Sequence, residues 1–173
     1  MQDTDLFLAL AEIAGVFVGF GALIAVRSGG ASEAQEVAPV RAVVMTGMMT
    51  IIAALAPVTL GRYDLTDHQT WALSSVLVLV SYTGLGFIHI RAPEYKAAAA
   101  DVMATRSWKQ NLLEDVAFML MFGGSALALI AIVLGAAPGL EAALYFTVVV
   151  LILLQAAWTL LWLVFRQRRP ART

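Results

Sequence analysis

The sequence predicts an all-α membrane protein: one bundle of about five transmembrane helices, N-terminus outside and C-terminus cytoplasmic. Three observations carry that reading. Apolar residues make up 61% of the 173-residue chain and charged residues 13%. An average soluble domain has roughly 45–50% and about 25%, so much of this apolar surface must face lipid. Second, five stretches are long enough to cross a hydrocarbon core of about 30 Å at about 1.5 Å per residue. Third, the basic residues cluster in alternate connections, as cytoplasmic loops require.

The first span is Leu6 to Val26. It follows an acidic opening, Met1-Gln2-Asp3-Thr4-Asp5. A cleaved signal peptide opens on positive charge, so this segment is expected to be retained. The second span runs from Val40 to Leu60. Ser32-Glu33-Ala34-Gln35 fits a capping box, which predicts a cytoplasmic helix start near Glu33, with Pro39 kinking or restarting the helix. The third span runs from Thr70 to Ile90. Beyond it, Pro93-Glu94 and the alanine-rich run to Arg106 favour a short cytoplasmic or interfacial helix over 94–106. Tyr95, Ala98, Val102 and Met103 fall near one face of it. The fourth span is Leu112 to Leu134, thinned at Gly123-Gly124-Ser125, and the fifth is Glu141 to Phe165. All five are too long, and too apolar on every side, for barrel strands. The tail, 166–173, is basic. The chain reads as a single membrane domain over 1–173.

The loops set the orientation. Arg27 and Arg41 flank the first connection, and Arg91, Lys96, Arg106 and Lys109 lie in the third. Arg166, Arg168, Arg169 and Arg172 lie in the tail. The other side holds only Arg62, beside Asp64 and Asp67. That places the tail inside, as expected of a bacterial inner-membrane protein. The preference for nine arginines over two lysines points the same way, by association with GC-rich genomes. Tyr63 and Trp71 fit the outer interface, and Tyr95, Trp108 and Trp162 the inner one.

Several function classes recede. The net charge of −1 argues against a nucleic-acid partner. The absence of cysteine excludes disulfides and thiolate metal sites. His68 and His89 fall on opposite sides of the membrane and cannot share one metal or haem. No nucleophilic triad, phosphate loop or zinc motif is present. No catalytic residue, cofactor or metal site is therefore expected.

Glu12 is the informative residue. It lies about 9 Å inside the first span. A carboxyl at that depth is costly and usually faces a bundle interior or a wet cavity. No span holds an interior Lys or Arg to pair with it. Ala11, Gly15, Gly19 and Ala22 form a small-residue stripe that lets helix backbones approach. At about 100° per residue, Glu12 lies within roughly 60° of Gly15 and Gly19. The expectation is that the carboxyl points along a packed face. Gln155, Ser125 and Thr147 are the other polar groups assigned to a transport or proton-binding path, although Gln155 equally suits helix-to-helix bonding. Glu114 and Asp115 suit a cytoplasmic mouth, or simply a helix N-terminus where acids are favoured.

The run Leu10-Ala11-Glu12-Ile13-Ala14-Gly15 is similar to the first helix of small multidrug-resistance exporters. In that family the membrane-embedded Glu after Ala couples proton exchange to cation export. The resemblance implies a proton and substrate site at Glu12. It covers six residues. That family has four spans and a shorter chain, and its later aromatic substrate residues lack counterparts here. The likeness is one of chemistry and not of family.

Two functions follow as expectations. One is an oligomeric channel or carrier for protons or small cations, with Glu12 in the path. The other is a non-catalytic accessory protein that binds another membrane protein through its glycine-lined first helix. In both, the lipid bilayer is the first partner, and a homo-oligomer is expected in the first.

Overall fold

The computed structural model describes residues 4–27, 34–93, 95, 96, 100 and 108–166. It holds five long helices: α1 Thr4–Arg27, α2 Ala34–Leu60, α3 Asp67–Arg91, α4 Trp108–Val133 and α5 Glu141–Arg166. No strand occurs among the described residues. Stretches within α1, α2, α3 and α5 are long and apolar enough to cross a membrane. α4 runs 26 residues, and its described apolar part is Met119–Val133.

Local chemistry sets the helix ends. At the start of α3, the Thr66 hydroxyl accepts from the Gln69 backbone N–H at 3.3 Å. The Gln69 side chain accepts from the Thr66 N–H at 3.0 Å. This reciprocal capping box draws the helix start outward to Asp67. The signature Thr66-x-x-Gln69 stands in the sequence, outside the span begun at Thr70. α3 stops at Ala92, whose backbone is extended (φ −61°, ψ 132°), as a residue before proline must tend to be. α4 ends in a paired cap: Ala136 N–H donates to Ala131 C=O at 2.9 Å, and Gly135 N–H to Ile132 C=O at 3.0 Å. Gly135 takes φ +64° there, a conformation that costs glycine nothing.

The helix of α2 begins at Ala34 and continues through both Pro39 and Pro57. The Ser32–Gln35 box falls mostly outside the described residues. So does most of the 94–106 helix, of which Tyr95, Lys96 and Ala100 are helical. The tail beyond Arg166 also lies outside them.

α2 and α5 form the middle of the bundle. α5 packs against each of the other four helices, and α2 against α1, α3 and α5. Their shared core includes Ala53, Ala54, Tyr145, Val148, Val149 and Ile152, with Val78 and Leu129 packed in. At the outer end, Phe7 meets Trp71, Tyr145 and Phe146 at ring distances of 6.1, 6.1 and 5.8 Å. Trp71 therefore packs partly inside the protein. Lower down, Tyr82 stacks on Phe122 of α4 at 4.2 Å.

α1 is a peripheral helix, packed on α2 and α5. Among its described side chains the buried positions are Phe7, Ala14 and Gly21, seven residues apart, which is the spacing of a coiled-coil seam. The close approach occurs at Gly47 of α2. A Cβ there would sit 2.6 Å from Val18 Cγ2 and 3.3 Å from the Ala14 carbonyl oxygen. Small residues do bring α1 onto α2, but they are Ala14, Gly21 and Gly47.

Candidate functional site

Glu12 sits on the far side of α1 from that seam. It is exposed, and it makes no hydrogen bond or ion pair among the described residues. Gly15, Gly19 and Ala22 are exposed beside it. A Cβ built on Gly15 or Gly19 would meet nothing within 4 Å. At about 100° per residue, Glu12 and Gly19 lie roughly opposite Ala14, so the face they share is open along the bundle's outer surface. The carboxyl is therefore not packed against another helix among the described residues of the same chain. Of the four small residues in that stripe, only Ala11 is partly packed against the core.

The physical reason is that α1 is apolar all round, so periodicity singles out no face. Gly15 with Gly19, and Ala14 with Gly21, offer two stripes of small residues. The choice between them was made by shape: Gly47 on α2 accepts Val18 and the Ala14 backbone.

The other polar candidates do not join Glu12 in one lining within the chain. Thr147 is exposed and donates to the Ala143 carbonyl of its own helix at 2.8 Å. Ser125 is buried and donates to the Met121 carbonyl at 2.7 Å. Gln155 accepts from the Tyr82 hydroxyl at 3.3 Å and so ties α5 to α3. The set Glu12, Gln155, Ser125 and Thr147 is thus split between the outer surface and the packed interior. The side chains of Glu114 and Asp115 lie outside the described residues.

Sequence reasoning missed the polar groups that organise the interior. Pro57 has no N–H, so the Ala53 carbonyl four residues back has no helical donor. The Tyr145 hydroxyl fills that place at 2.7 Å. A proline inside a span requires some such donor, and this was the available signal. The hydroxyls of Ser74 and Ser75 are buried without a hydrogen-bond partner among the described residues. Thr46, Thr50, Ser81 and Thr159 all turn back to a carbonyl four residues earlier, the ordinary solution in a membrane helix.

At the outer end, His68 Nδ1 lies 2.7 Å from Glu141 Oε1 and joins the starts of α3 and α5. His89 lies at the other end of α3, its ring against Tyr95 at 4.8 Å. Among the described residues, no three His, Asp or Glu side chains gather as metal ligands would.

Comparison of the chain with family models, curated proteins and solved structures gives no match. The local likeness to small exporters stays confined to residues 10–15; among the described residues there are five long helices, four of them long and apolar enough to cross a membrane. The helices themselves are long and apolar enough for a membrane protein.

Proposed function

We propose that this membrane protein acts as a homo-oligomer, its subunits meeting along the Glu12–Gly15–Gly19 face of α1 and passing protons or small cations by the Glu12 carboxyl. The observation that carries the reading is Glu12, exposed within an apolar helix long enough to cross a membrane and without an ion pair among the described residues. A carboxyl held against hydrocarbon must be protonated, covered or reached by water. The open glycines beside it are the surface on which another helix backbone can come close. Among the described residues, the buried polar ones are Thr50, Thr70, Ser74, Ser75 and Ser125. They supply hydroxyls and no charge, so a subunit interface offers the better path. The positive connections put the tail on the cytoplasmic side. No catalytic chemistry is proposed.

The test is proton and monovalent-cation flux in liposomes, comparing the native chain with Glu12→Gln. Flux in the native protein and its loss in the variant is the expected result. Equal flux in both would remove Glu12 from the path.

A second reading rests on the same open stripe, which would serve a foreign helix as well as a second copy. In that reading the protein is an accessory to another membrane protein. Absence of flux from folded, inserted protein, with one stoichiometric partner co-purifying and lost on Gly19→Leu, would establish it over transport.

A further inference from the structure

We draw no further inference here: the strongest candidate, the pair of buried, unpartnered hydroxyls of Ser74 and Ser75 on α3, sits in packing that leaves neither side chain accessible surface and so has no room for a ligand.

Discussion

The Tyr145 hydroxyl donates a 2.7 Å hydrogen bond to the Ala53 carbonyl, the acceptor that Pro57 deprives of its helical donor. One helix thus repairs another. Hydrogen bonds between membrane helices average about 0.6 kcal/mol and reach roughly 1.7. This one should lie near the upper end, because its acceptor is buried and has no helical alternative. Tyr145→Phe is expected to destabilise the bundle by about 1–2 kcal/mol in detergent unfolding. In a Pro57→Ala background the new N–H would serve Ala53, and the same substitution should cost less. A double-mutant cycle without coupling would show that the bond contributes nothing specific.

Gly47 and Gly19 should respond oppositely to one added methyl. At Gly47 the new Cβ meets Val18 Cγ2 at 2.6 Å and the Ala14 carbonyl oxygen at 3.3 Å. Valine is stiff at χ1 and yields little. Gly47→Ala should therefore cost about 1–3 kcal/mol. Gly15→Ala and Gly19→Ala meet nothing within 4 Å and should leave the fold of one subunit neutral or slightly more stable. Unfolding measured beside oligomer mass separates the two effects. Gly19→Leu should lower the oligomer fraction without unfolding the chain. Loss of subunit stability in Gly19→Ala would contradict the packing described.

Gln155 is a modest fastener. Its partner Tyr82 also stacks on Phe122 at 4.2 Å, so the ring stays placed when the hydrogen bond is removed. Gln155→Leu should cost roughly 0.5 kcal/mol or less, since the new side chain suits an apolar seam. A loss above about 2 kcal/mol in equilibrium unfolding would assign Gln155 a larger network.

Ser75→Ala should be neutral or stabilising. The hydroxyl is buried and unpartnered, and a buried polar group without a bond is a net cost. Ser125→Ala is the control, because Ser125 already bonds to the Met121 carbonyl. If Ser75→Ala lost more than about 1 kcal/mol, its hydroxyl would have a partner in the membrane.

Much of the fold was legible because the membrane imposes it. Span lengths and the charged connections place Leu6–Val26 and Glu141–Phe165 within helices Thr4–Arg27 and Glu141–Arg166. The capping box at Thr66 and the cap at Gly135 stand in the sequence as well, as short local motifs. The candidate site was legible only in part. Glu12 and its glycines stand out in the sequence by depth and spacing. Tyr145 was not, because its role depends on a proline 88 residues earlier in another helix.

The sequence by itself determined that this is a helical membrane protein and that Glu12 shares a face with Gly15 and Gly19. Backbone hydrogen bonding and helical period decide such matters within a single segment. Only the tertiary structure decided which face of α1 meets α2. Lipid and protein interior are equally apolar, so hydrophobicity cannot choose between faces. The choice fell to close steric fit, Gly47 receiving Val18 and Ala14, and it left Glu12 on the open side.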